Sequence, residues 1–300
     1  MSAQPFVSEQ KHMDTRVTVT AYPDASGRDL AEAAALAFGV FAELEQRFSL
    51  FRPDSEIVRV NAAAGRKTEV SALFLETVSY ALALADETGG VFDPLVGRLT
   101  TPVTSGARRV TRPTFRQVEI DEAKSCLTTP PGAVMDLNSV VKGLALDLAC
   151  AVFGGDEALM IEAGGDIRLR GLPPGKSRWD IGVRDPHEPR RLAALLPVRS
   201  GAVCTSGDYF RSGPARAAGR RHLVNARNGR PAGDIASMTV LAPTAKEADA
   251  LSTAAYLMPT REAAAFVERH GNASCLFIDA AGQVFASSRL ETVMASQTYA

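Results

Sequence analysis

The spacing of apolar and polar positions changes along this chain, and each change marks an element. In "TRVTVTAY" (15–22) the two kinds alternate, the period of a strand with one buried face. In "RDLAEAAALAFGVFAELEQRF" (28–48) apolar residues return every three or four positions among strong helix formers, which predicts a helix. "PDSEIVRVNAAAG" predicts a short helix capped by Asp54 or Ser55. "SALFLETVSYALALADETGG" (71–90) predicts a long one, opened by Ser71 and stopped by paired glycines. Residues 98–116 are polar and broken by Pro102 and Pro113, so they read as a loop. From 117 onward the texture turns to short β-leaning runs: "QVEI", "CLTT", "ALMIEA", "DIRLRG", "WDIGVRD", "LAALLPVRS", "AVCTS" and "SMTVLA". Helical patterns interrupt them near 139–153, 245–257 and 260–270. Strand and helix patterns are segregated rather than strictly alternating, so the expected class is α+β, with mixed or antiparallel sheets flanked by helices. No Pro/Gly/Ser-rich linker divides the chain.

Composition narrows the function classes without naming one. The 300 residues carry 46% apolar and 22% charged side chains, ordinary for a globular enzyme-sized protein. The net charge of −1 gives no overall field toward nucleic acid or an anionic membrane. Cys126, Cys150, Cys204 and Cys275 are far apart and form no Cys-x-x-Cys pair, which supports neither a zinc cluster nor a disulfide framework. The first residues hold no apolar core of signal-peptide length and no lipid-attachment cysteine. The run "LALDLACAVF" is interrupted by Asp147 and too short to span a bilayer. If this is the natural start of the chain, the expected location is cytoplasmic; a chain trimmed of its leader would read the same.

Six stretches combine polar groups with glycine or with a helical face. In "KEADALSTAAYLMPT" (246–260), Asp249 and Thr253 stand four apart on one helix face, a pair that faces water in most helices but could also hold a metal ion. "MDLNSVVKGLALD" (135–147) ends an apolar run on Asp136 and sets Lys142 just inside a helix that Asn138 or Ser139 would cap, leaving helix N–H groups open to an anion. "MIEAGGDIRLRG" (160–171) places Gly164 and Gly165 within a strand pattern, either a tight bend or a close backbone approach to a ligand. "AVCTSGDYFR" (202–211) brings Thr205, Ser206, Gly207 and Asp208 together, a plain polar turn or a set of phosphate and metal contacts. "RRHLVNARNGRPAG" (220–233) puts His222 ahead of an Asn-Gly turn; it reads as a structural histidine at a strand start or as one beside a basic turn. "ETGGVFDPLVG" (87–97) adds a second Gly-Gly followed by Phe92-Asp93-Pro94.

Taken in order, these stretches resemble the ApbE family of flavin transferases. "FRPDSEIVRVN" looks like the family's Ser-Glu…Asn segment, "TGGVFDPLVG" like its Thr-Gly-Gly-x-Phe-Asp element, and "MDLNSVVKGLALD" like its Asp-Leu-Gly-Gly-x-x-Lys-Gly-x-x-x-Asp element. "EAGGDIRLRG", "WDIGVRDP" and "AVCTSGDY" follow in the family's order, then "HLVNARNGRP" and the Ala-Asp-x-x-x-Thr helix "ADALSTAAYLM". The similarity runs from about residue 13 to residue 290, leaving 1–12 as a flexible N-terminal extension and 13–300 as one domain.

The resemblance implies Mg²⁺-dependent transfer of FMN from FAD to a Thr or Ser hydroxyl of an acceptor flavoprotein carrying an Asp-Gly-x-Thr/Ser-Gly-Ala-Thr-type motif, with release of AMP. It implies Asp249 and Thr253 as metal ligands, with Ser139 contributing its backbone oxygen. It assigns FAD binding to Asp136, Lys142, Gly164, Gly165, Thr205, Ser206 and Asp208, with Phe51 near the flavin ring. His222 is the implied base or proton shuttle, and Asp249 is placed with it in the catalytic set. The chain departs from the family at Asn138 and Ser139, where the family has glycines, and at Asn225-Ala226, where it has Asp-Pro. Met13-Asp14-Thr15 stands where the family has Met-Gly-Thr, and 98–112 lacks the family's aromatic-rich stretch. Hydrolysis of FAD to FMN and AMP by the same site, or flavin binding without chemistry, are the alternative readings.

Overall fold

The computed structural model describes residues 4–24, 27–100, 113–154, 157–188, 190–207 and 223–291. Strand β2 (Thr15–Ala21) buries Val17, Val19 and Ala21, the odd positions of its alternating pattern. It pairs on one side with β1 (Phe6–His12) and on the other with β6 (Leu159–Ala163). The sheet continues through β7 (Asp166–Arg170), β10 (Gly201–Gly207), β13 (Ile235–Ala242), β14 (Ser274–Asp279) and β15 (Val284–Ala286). Its order is β1-β2-β6-β7-β10-β13-β14-β15, antiparallel at every pairing.

Successive side chains of a strand point to opposite faces, so one strand serves two cores. In β10, Ala202 and Cys204 join the core on the helical face, while Val203 joins a second, smaller one. The helical face carries α1 (Leu30–Phe48), α5 (Asn138–Phe153) and α6 (Ala245–Tyr256), which pack on one another and on the sheet. The opposite face is covered by the hairpin β8 (Trp179–Arg184) and β9 (Leu192–Val198). Trp179, Ile181, Val183, Leu196 and Val198 are buried there with Leu169, Val203, Leu276 and Ile278 of the sheet. The fold class is α+β, as expected.

The remaining elements frame the helical side. They are α2 (Glu56–Ala62), β3 (Lys67–Glu69), α3 (Ala72–Glu87), α4 (Gly97–Thr100), β4 (Glu119–Asp121), β5 (Cys126–Thr128), β11 (Val224–Asn225), β12 (Arg230–Pro231) and α7 (Thr260–Glu268). Two caps expected from the sequence are present: Ser71 Oγ accepts the Phe74 N–H at 3.2 Å and Ser55 Oγ the Val58 N–H at 3.2 Å. Each such cap contributes ~1 kcal/mol by satisfying a helix N–H that has no partner of its own.

Four differences from the sequence reading have physical causes. Residues 6–12, assigned to an N-terminal extension, form an edge strand, β1. An edge strand can be mostly polar because its pairing is made by the backbone. Residues 98–116 include α4 and a 3₁₀ turn at Phe115–Gln117; residues 101–112 lie outside the described residues. Neither Asn138 nor Ser139 caps α5: the cap position is Leu137, and Asp136 Oδ1 accepts the Asn138 N–H at 3.0 Å instead. Thr205, Ser206 and Gly207 lie within β10 rather than in a turn after it. Among the described residues, no helix is long and apolar enough to cross a membrane.

Candidate active site

The chemistry-bearing residues gather where α6 crosses the first turns of α5. Gly143 makes the approach possible. A Cβ there would stand 2.2 Å from the Ala245 oxygen and 2.8 Å from Lys246 Cα, so any side chain would push the two helices apart. The contact delivers Asp249 to α5, where its Oδ2 accepts the Gly143 N–H at 2.9 Å. In a regular helix that N–H points toward the carbonyl four residues earlier, here Ser139. The Asp249 carboxylate therefore sits against the same turn as the Ser139 oxygen.

Asp147, one turn beyond Gly143, fixes the start of α6. Its Oδ1 accepts the Ala245 N–H at 2.9 Å and its Oδ2 the Lys246 N–H at 2.8 Å. Negative charge at a helix N-terminus also opposes the positive end of the helix dipole. Arg168 on β7 holds the same carboxylate, Nε to Oδ1 at 2.9 Å, and donates through Nη1 to the carbonyls of Leu169 and Gly201. The spacing Lys-Gly-x-x-x-Asp thus has a structural meaning: Gly143 admits α6 and Asp147 caps it.

Lys142 points to the sheet. It forms an ion pair with Asp166 of β7, which is 1% exposed. Asp166 Oδ1 also accepts the Thr205 N–H at 2.8 Å, tying β10 to the same carboxylate. Burial by itself would depress the lysine pKa, but the Asp166 and Asp249 carboxylates beside it outweigh that and hold it above its ordinary value. Lys142 is therefore a fixed positive charge beside Asp249.

A row of hydroxyls completes the junction. Ser206 Oγ lies 2.8 Å from Ser252 Oγ and 3.1 Å from Thr253 Oγ1, and Ser252 donates to the Asp249 carbonyl at 2.9 Å. Ser206 and Thr205 are neighbours on one strand, so they face opposite ways. Thr205 Oγ1 pairs with Thr239 Oγ1 of β13 at 2.9 Å. Asp249 and Thr253 are 4% and 5% exposed, so the bland expectation of two solvent-facing polar residues does not describe them. A carboxylate, a hydroxyl and a main-chain oxygen are hard donors of the kind that suit a small divalent cation completed by water and phosphate. Among the described residues, no group of three or more His, Cys, Asp or Glu is placed to hold a metal.

Other predicted positions fall elsewhere. Gly164 and Gly165, with φ of 60° and 96°, form the two-residue turn between β6 and β7, where Ala163 opposes Asp166. Positive φ at both central residues is the type I′ pattern, which glycine adopts without strain. Phe51 is 85% exposed in the α1–α2 connection and makes no ring contact among the described residues. The Asp136 N–H donates to the Pro94 carbonyl at 2.8 Å, and Asn61 brackets the preceding residue, Met135, by accepting its N–H and donating to its carbonyl. Asp93 is buried, accepting the N–H groups of Leu95 at 2.8 Å and Phe115 at 3.2 Å. His222 and Asp208 lie outside the described residues. Sequence reasoning gave no role to Asp147, Asp166 or Gly143. The available signal was their fixed distance from Lys142 and from the glycine pair.

Fold and site define a class, an α+β enzyme with its polar cluster at a helix–helix junction, and the proteins it matches place it among the transferases. The FAD:protein FMN transferase of Treponema pallidum is 29% identical over 287 residues, covering 84% of this chain and 79% of that one. Its counterpart in Haemophilus influenzae is 27% identical over 266 residues, covering 80% and 76%. The crystal structure of the ApbE protein from Thermotoga maritima superimposes with a TM-score of 0.85 at 27% identity, covering 96% of this chain and 99% of that one. The chain belongs to the ApbE family, whose model matches residues 13–277.

Proposed function

We propose that this chain transfers FMN from FAD to a Thr or Ser hydroxyl of an acceptor flavoprotein, with release of AMP. The observation that carries the reading is the Asp249–Gly143 contact, which gathers Asp249, Thr253 and the turn holding the Ser139 oxygen at one point beside Lys142. Asp249, Thr253 and the Ser139 carbonyl would hold Mg²⁺, which when bound supplies positive charge against the pyrophosphate oxygens. Lys142 adds a second positive charge there, kept in place by Asp166. Ser206 orients the Thr253 hydroxyl. Asp136, Gly164, Gly165, Thr205, Ser206 and Asp208 are assigned to FAD with Lys142, and the exposed ring of Phe51 is free to stack on the flavin.

In the proposed reaction the acceptor hydroxyl oxygen attacks the FMN phosphorus, and the bond to the AMP phosphate breaks, AMP leaving with the electron pair. His222 takes the proton from the acceptor hydroxyl. The test is FAD turnover with Mg²⁺ and with EDTA, with and without a purified acceptor domain carrying the Asp-Gly-x-Thr/Ser-Gly-Ala-Thr-type motif. An acceptor mass gain equal to FMN, with AMP formed only when Mg²⁺ is present, supports the reading. FMN and AMP formed equally without acceptor would replace transfer by hydrolysis, and intact FAD throughout would overturn both.

A further inference from the structure

A cavity of about 680 Å³ opens between the end of α3, the β11–β12 hairpin and the α6–α7 junction. Val91, Met258 and Phe266 contribute to its lining, together with Arg227, Arg261 and Arg269 and the carboxylates of Glu87 and Glu262. Each carboxylate has a neighbour on its own side of the cavity. Glu87 lies 3.2 Å from His270 Nε2, and Glu262 lies 3.1 Å from Arg261. That leaves Arg227 and Arg269 with no carboxylate partner among the described residues; Arg269 lies over the Phe266 ring, 5.3 Å from its centroid. A second groove, about 590 Å³ between α1, α2 and β3, differs in this respect: Arg47 pairs there with Glu43 and Glu56, and Arg59 with Glu56.

Three guanidinium groups against two carboxylates leave this lining with an excess of positive charge, which suits a peptide segment that presents a carboxylate. The cavity is also tied to the site. Asn225, in its wall, donates through Nδ2 to the Leu257 carbonyl at 3.3 Å, and the Ala226 N–H donates to Val91 at 2.9 Å. Leu257 follows Thr253 by four residues, roughly one helical turn or ~6 Å along the α6 axis. The cavity wall is therefore anchored about one helical turn from Thr253.

We propose that this cavity docks an acidic segment of the acceptor protein, with Arg227 and Arg269 taking its carboxylate. The proposal rests on the transfer reading above. It is tested on the full chain with Arg227→Glu/Arg269→Glu and, should that variant lose its fold by circular dichroism, with Arg227→Gln/Arg269→Gln. Three quantities are measured: Kd for the acceptor domain without FAD, KM for the acceptor in transfer, and Kd for FAD. Charge reversal is expected to weaken acceptor binding and raise its KM by at least about tenfold, more at low salt than at high, while FAD affinity changes by less than about twofold. An unchanged acceptor Kd would overturn the docking site. A parallel loss of FAD affinity would overturn it too, by assigning the arginines to the nucleotide phosphates. Acceptor binding is read without chemistry, so failure of wild-type transfer would sink the functional reading separately.

Discussion

Asp249 on α6 accepts the backbone N–H of Gly143 on α5 across 2.9 Å, and this one bond ties the two helices together at the candidate site. A carboxylate that belonged to a solvated helix face would be free to turn with its rotamers. Here it is buried and aimed at the α5 turn that contains Ser139. Charge and geometry at Asp249 can be separated by substitution.

Asp249→Asn keeps the volume and an oxygen that can still accept the Gly143 N–H, but removes the charge. The fold is expected to survive, while Mg²⁺-dependent FMN transfer falls by at least about a hundredfold, ~2.7 kcal/mol of barrier. Asp249→Ala should differ by also lowering stability by about 1–3 kcal/mol, since it strands a buried N–H. Urea titration beside an FMN-transfer assay checks both. Wild-type turnover in Asp249→Asn would remove Asp249 from the proposed metal site.

Gly143→Ala places a methyl group 2.2 Å from the Ala245 oxygen, a backbone atom that a rotamer change cannot move away. The helices must separate, and overpacking of this kind costs about 1–3 kcal/mol. Because Asp249 moves with α6, activity should fall together with the unfolding midpoint. A variant with wild-type stability and activity would show that the junction tolerates wider spacing than the contact suggests.

Asp147→Asn leaves one acceptor oxygen for two N–H groups and ends the ion pair with Arg168. The loss expected from the cap is about 1–2 kcal/mol. The Mg²⁺ concentration giving half-maximal rate should rise, as α6 loses its fixed start, while the rate at saturating Mg²⁺ is less affected. Equal Mg²⁺ requirements in the two proteins would make Asp147 a stability residue alone.

The four cysteines should react in two groups. Cys126 is partly exposed, whereas Cys150, Cys204 and Cys275 are buried. Burial raises the pKa of all three, that of Cys275 to about 12. At pH 8 the thiolate needed for reaction is therefore scarce at the buried positions, and it grows only as pH approaches the raised values. Native protein treated with a chromogenic disulfide should show one fast thiol, with the other three released on denaturation. Rapid reaction of two or more native thiols would contradict this burial.

Much of the molecule was legible in the linear pattern. Ser71 and Ser55 cap their helices as expected because a cap is a local event, a side-chain oxygen reaching N–H groups two or three residues on. The alternation in β2 named its buried face for the same reason, since a strand's period is a property of its own backbone. The α+β class and the order of the family motifs also needed no coordinates. The meeting of distant segments required the tertiary structure. Asp249 lies 106 residues from Gly143, and Asp147 lies 98 from the helix start it caps. Neither pairing has a local periodicity to betray it, because packing brings those groups together and the sequence between them is free to vary. Two other misses are local: Asp136, two residues earlier, accepts the Asn138 N–H in place of a cap at Asn138 or Ser139, and the polar residues 6–12 are held by backbone pairing with the adjacent β2, which their side-chain pattern does not display.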